Sequence, residues 1–161
     1  MERLLPSKRL PVGILLLLAI LSLGAAAERS VYSQTSNKEL KQRTLTLVKN
    51  IRNLVTSYQQ KDRALMDDYD KKMTEYRVNE RKAMREQWIR QTDAAHDATM
   101  RRYRESYWSD AILLLDELYR RVPQRMRQKN ILPIYQHPTN VLGVETIANH
   151  LELMAKALPD S

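Results

Sequence analysis

The chain has 161 residues, no cysteine, no phenylalanine, three glycines and a formal net charge of +8. The length suits one domain and leaves no room for two ordinary ones. The missing cysteines exclude a disulfide framework and a lipid-modified cysteine, so the fold must hold together by packing alone.

The N-terminus reads as an export signal. Arg3, Lys8 and Arg9 form a basic lead before the apolar run Pro11–Leu23, and Gly24-Ala25-Ala26-Ala27 follows. A basic lead, a short apolar core and an Ala-x-Ala end are the pattern of a secretory signal peptide, here residues 1–27 with cleavage after Ala27. The alternative is a signal anchor. Pro11–Ala27 sits at the lower edge of the roughly 17–25 residues that span a bilayer. In either case the charges ahead of the apolar run send the rest of the chain outward. The absence of both cysteine and an Asn-x-Ser/Thr sequon leans towards a bacterial periplasm. Without residues 1–27 the chain keeps 24 Lys+Arg against 18 Asp+Glu. Residues 28–35 are polar and short, and read as a flexible leader.

Residues 36–122 form the organising stretch, without a glycine or a proline. Leu40, Leu47, Ile51, Leu54, Tyr58, Leu65, Tyr69 and Tyr76 recur on one face at a 3.6-residue period, which predicts a long amphipathic helix. Ser36 followed by Glu39 is a capping-box start. Beyond Tyr76 the stripe thins to Met84, Trp88, Ala95, Tyr103 and Tyr107. Between Lys61 and Glu105, 22 of 45 residues are charged, several as acid-then-base pairs four apart. These pairs support a solvated helical rod.

The seam thickens from Trp108 to Val122, where Ser109 or Asp110 offers a fresh cap. Unbroken, the stretch would run on the order of 130 Å, so a helical hairpin with coiled-coil-like packing is expected. The candidate breaks are Thr56-Ser57, Val78-Asn79 and Thr92-Asp93.

Pro123 ends this region. Residues 123–143 hold three prolines and a glycine and read as an irregular segment whose apolar knot, Ile131-Leu132 and Ile134-Tyr135, straps onto the helices. Residues 144–158 form a short amphipathic helix, started at Thr139 or Asn140. Its face Val144, Ile147, Leu151 and Met154 must dock on the Leu40–Tyr58 face or the Ile112–Val122 block. Glu145 in the first turn and Lys156 in the last would match the macrodipole, and His150 falls on the polar side. The expected fold is all-α: a core at one end and a charged rod or hairpin projecting from it.

The chemistry is sparse. Asp93, His96 and Asp97 make one Asp-x-x-His pattern, a weak metal candidate without the second motif that di-metal bundles need. There is no nucleophile elbow and no glycine-rich phosphate loop, so neither an enzyme nor a cofactor is expected and no small-molecule substrate is identified. Arg101-Arg102-Tyr103-Arg104 and Arg120-Arg121 with Arg125, Arg127 and Lys129 are basic, but interleaved acids and export speak against nucleic acid. Trp88, Tyr103, Tyr107, Trp108 and Tyr119 set large amphipathic rings on basic helices, as contact surfaces and headgroup-level segments do.

The expected function is therefore a non-catalytic exported helical protein acting by protein contact or self-association, as an adaptor, scaffold or chaperone-like binder. An anionic membrane surface is a further possible partner. The alternative is a membrane protein anchored by Pro11–Ala27 that carries an extracytoplasmic sensor or assembly domain.

Overall fold

The computed structural model describes residues 32–124 and 132–159. Residues 1–31, with the expected signal peptide or anchor, lie outside the described residues. The described part is all-helical: α1 (Asn37–Glu75), α2 (Val78–Ser106), α3 (Trp108–Arg121), α4 (Leu132–Gln136) and α5 (Val141–Lys156).

The first helix starts at the expected cap. The Ser36 hydroxyl accepts from the Glu39 backbone N–H at 3.2 Å, satisfying one of the donors that a helix start leaves open. It then runs for 39 residues without a break at Thr56-Ser57. The reversal falls beside Val78-Asn79. Tyr76 and Arg77 both adopt extended backbone (ψ 151° and 157°), and the chain turns back as α2. Glu80 holds the new start by accepting from the Arg77 N–H at 3.4 Å. The second helix passes Thr92-Asp93 unbroken.

At Tyr107 (φ −134°, ψ −22°) the chain bends into α3. The helical ladder continues across the bend: Tyr107 N–H donates to the Tyr103 carbonyl and Ala111 N–H to the Tyr107 carbonyl, both at 2.9 Å. The fresh cap expected at Ser109 or Asp110 is thus not used, because the bend needs no new start. Val122 is extended (ψ 151°), the conformation that a following proline imposes.

Two expected boundaries are corrected. The segment 123–143 is not irregular throughout, since it contains α4 and the first turn of α5. The last helix begins at Val141, ahead of the expected residue 144, and the expected starter Asn140 is its cap, its side chain accepting from Gly143 N–H at 2.8 Å. Glu145 therefore lies beyond the first turn, and only Lys156 faces the dipole it was expected to match.

The core lies at one end. From α1 it takes Leu40, Leu47, Val48, Ile51 and Val55; from α2, Met100 and Tyr103; from α3, Ala111, Leu114, Leu115 and Leu118; from α5, Val144, Ile147, Ala148, Leu151 and Met154. The first helix packs chiefly against α2 and α5, and α3 closes on α5. Each buried Leu or Ile contributes roughly 1.5–3 kcal/mol by leaving water. On the rim of this packing, Arg52 pairs with Glu152, which also holds Lys156 at 2.7 Å. The two cations keep the Glu152 carboxyl below its ordinary range. From residue 56 to residue 94 no described residue is fully buried. The α1–α2 hairpin therefore projects from the core as a two-helix rod, as expected for the charged middle.

The leader is also corrected. Residues 28–31 lie outside the described residues, but 32–35 are held rather than loose. Arg121 donates from Nη1 to the Thr35 carbonyl (2.6 Å) and Asn37 Oδ1 (3.0 Å), and from Nη2 to the carbonyls of Tyr32 (2.7 Å) and Ser33 (3.3 Å). Its Nε donates to Glu117 Oε1 at 2.8 Å. Asn37 in turn donates to the Pro159 carbonyl at 3.1 Å, tying in the C-terminal end. One guanidinium thus fastens the start of the described chain to α3.

Candidate functional site

The five expected interaction residues do not share one surface. Tyr103 is fully buried and belongs to the core, so it offers no ring at the surface. Trp108 is half-exposed, and its indole N–H donates to the Tyr135 carbonyl at 2.9 Å, pinning α4. The Tyr119 hydroxyl lies 3.0 Å from His150 Nε2. Tyr107 borders a polar groove between α1 and the α2–α3 bend. Trp88 stands apart from the others, on the projecting hairpin.

At Trp88 the two helices of the hairpin leave a groove of about 500 Å³, lined by Leu65, Tyr69, Tyr76, Met84 and Trp88, with Asp68, Lys72 and Glu80 among its polar lining. The Tyr69 and Trp88 rings stack with centroids 5.1 Å apart and planes at 30°, the offset arrangement that aromatic pairs prefer. The Trp88 indole N–H is buried and without a hydrogen-bond partner, a state that costs free energy until a partner is supplied. Among the described residues, four of the seven exposed large apolar side chains, Met66, Tyr76, Val78 and Ile89, belong to this part of the hairpin. The stripe read from the sequence thus runs off the core and is only partly covered here. Further along, Tyr58 meets His96 edge-on at 6.4 Å.

The metal candidates remain scattered. His96 Nδ1 is 3.3 Å from Asp97 Oδ1, on a carboxylate that is 74 % exposed. Among the described residues no three His, Cys, Asp or Glu side chains come together as a metal-holding group.

A second groove, of about 540 Å³, runs beside Tyr107 and is lined by Tyr32, Glu39, Arg43, Asn50 and Asp110. A separate hollow of about 320 Å³ beside it is lined by Asn53, Ser57 and Arg102 and shares Asn50 and Tyr107 with it. Burial, then the Asp110 carboxylate, pushes the Tyr32 phenol up, so this hydroxyl stays protonated. The lining is polar, and its charges are partly matched internally: Arg43 pairs with Glu39 at 2.8 Å.

His150 was expected on a polar face and is instead buried at 4 % exposure. Tyr119 and Tyr135 flank its ring edge-on at 5.9 and 6.0 Å. Its Nδ1 has no partner, and Tyr135 donates past it to the Ile147 carbonyl at 3.2 Å. Burial lowers the His150 pKa from its ordinary 6.5, so the folded protein holds it neutral while the unfolded chain protonates it near 6.5.

The unfolded state therefore binds the extra proton, and stability falls as pH drops below about 6.5. Glu152, the carboxylate held low, loses its contribution only below its ordinary 4.5. The urea midpoint is expected to fall between pH 7.5 and pH 5, and His150→Phe should flatten that fall. An unchanged slope in the variant would assign the acid sensitivity elsewhere.

Sequence reasoning named Trp88, and placed Leu65, Tyr69 and Tyr76 on one stripe and Met84 on its continuation. It missed that these residues converge, because convergence depends on where the hairpin turns. No family model, curated protein or solved structure matches this chain.

Proposed function

We propose that this is an exported, non-catalytic helical protein that works by contact, holding an apolar segment of a partner protein against the hairpin groove at Tyr69 and Trp88. The observation that carries the reading is the groove itself: an aromatic-lined channel on a rod that projects beyond its own core. An amphipathic helix laid into such a channel buries its apolar anchors.

Trp88 and Trp108 are the two tryptophans, so Trp108→Phe leaves Trp88 as the one indole reporter. Its emission is expected to shift to the blue when an amphipathic helical peptide is titrated in. The native protein should also slow aggregation of a thermally unfolding client protein. Met84→Asp should abolish both effects and leave the melting temperature almost unchanged, since the groove lies outside the core. A native protein that neither shifts nor protects sinks this reading.

Export through residues 1–27 is part of the proposal and rests on the sequence pattern. Intact mass after cell fractionation decides between its two forms. A chain starting at Glu28 in the soluble exported fraction fits a free binder. A full-length chain in the membrane fraction fits the anchored assembly or sensor protein.

A further inference from the structure

The broad side of the hairpin away from the groove carries a pattern of its own. On α1, Arg63, Met66, Asp70 and Met73 follow one another at steps of three and four; on α2, Val78, Lys82, Arg85, Ile89 and Asp93 do the same. Such steps place each set on one stripe of its helix. The middle of each stripe stands roughly 120° or more around its helix from the middle of the groove lining, at 3.6 residues per turn. The two stripes therefore share the opposite side. Met66 and Ile89 are 44 % and 41 % exposed there. Arg63, Asp70, Arg85 and Asp93 are exposed as well, and among the described residues none of the four has an ion-pair partner within its own copy.

The heights of these residues along the rod match. Tyr69 stacks on Trp88, so each step along α1 from Tyr69 is met by one step back along α2 from Trp88. The edge contact of Tyr58 with His96 keeps that register to within a turn. Arg63 thus comes level with Ala94, one residue from Asp93; Met66 with Gln91, two from Ile89; Asp70 with Gln87, two from Arg85. Two residues are about 3 Å along a helix, within reach of these side chains. From the core end outward, α1 reads cation, apolar, anion where α2 reads anion, apolar, cation.

A half-turn about an axis along the rod would lay α1 of each copy on α2 of the other and leave every height unchanged. Arg63 then meets Asp93 of the second copy, Met66 meets its Ile89, and Asp70 meets its Arg85, and symmetry repeats all three contacts. Met73 comes between the aliphatic stems of Lys82 and Arg85, and Lys82 comes level with Glu75. The reverse packing, with the turns at opposite ends, lays α1 on α1 and α2 on α2. It can match Met66 to Met66 or Ile89 to Ile89, and the other then falls on Asp93 or Asp70. We propose that two copies of this chain pair through this side of the hairpin, as a four-helix rod with both turns at one end. The apolar residues supply the burial and the ion pairs fix the register. The groove faces outward in this arrangement, so the proposal stands on different residues from the groove and survives or fails independently of it.

The chain has no cysteine, so introduced thiols report the contact directly. In the full chain, Met66→Cys with Ile89→Cys should form disulfide-linked dimers under mild oxidation, and either replacement alone should do so about tenfold more slowly. Both positions are exposed, so circular dichroism should show native helix content in each variant. Asp70→Arg added to the cysteine pair should slow linkage about tenfold, and Arg85→Asp on top of it should restore the rate. Any association through residues 1–27 is common to all these variants and does not choose among the positions. A cysteine pair that links no faster than the single replacements overturns the proposal. So does linkage that Asp70→Arg leaves unchanged. Met66→Cys alone linking as fast as the pair overturns the orientation, and an Arg85→Asp that fails to restore the rate overturns the register.

Discussion

Leu151→Ala is expected to cost about 3 kcal/mol, within the range for removing a fully buried leucine from a packed core. Leu151 has no exposed surface and sits on α5 among Ile147, Ala148 and Met154, facing the Leu40–Val55 half of α1. The fifth helix is short and lies between α1 and α3, so the cavity would open where three helices meet and none can collapse alone. Set against a typical domain stability of roughly 5–15 kcal/mol, this is a large share. Leu65→Ala, on the same stripe of α1 but out on the rod where it is only partly buried, is expected to cost less than about 1 kcal/mol. Urea unfolding followed by circular dichroism measures both. Equal losses would mean that the hairpin and the core are one cooperative unit of even strength, contrary to the one-ended core.

Arg121→Ala is the second large effect, with about 3 kcal/mol expected. The guanidinium is 18 % exposed and Glu117 is 7 % exposed, so the pair is mostly withdrawn from solvent. Removing the cation leaves a buried carboxylate whose remaining ion pair is Arg120 at 3.2 Å. Breaking one side of a buried pair is costly for that reason. It also removes the donors to the carbonyls of Tyr32, Ser33 and Thr35, which then face a partly closed surface with fewer donors.

Two readouts separate these contributions. The double replacement Arg121→Ala with Glu117→Ala should recover part of the loss, because no lone charge remains. Limited proteolysis should open a new cleavage site near Ser33 in both variants. If the single variant unfolds at the native urea concentration, the clamp contributes nothing measurable.

What was legible in the sequence was what repeats locally. The 3.6-residue stripe and the Ser36–Glu39 pair marked the first helix, and the fold class followed from them. The hairpin turn was one of three candidates, because neither glycine nor proline marks it. Two ordinary residues, Tyr76 and Arg77, simply go extended between two polar helices. The bend at Tyr107 carried a misleading cue, since Ser109 and Asp110 looked like caps that a continuous hydrogen-bond ladder did not need.

His150 was misplaced for a geometric reason. The last helix is covered on more than one side, so its buried arc is wider than its apolar stripe and takes in a histidine. The held leader had no local signal at all: it depends on Arg121, 86 residues beyond Thr35. The groove was half-visible, as single residues without their meeting point.

The Arg121 clamp also sets a direction. It holds residue 32 at the core end, while the Tyr76 turn closes the far end of a helix of 39 residues, about 58 Å long at 1.5 Å per residue. Residue 32 and whatever the tip touches are therefore kept apart by the length of α1. A partner held at the core end would sit that far from a partner met at the turn. In that arrangement the molecule is a strut, spanning a gap whose width is written into the length of α1.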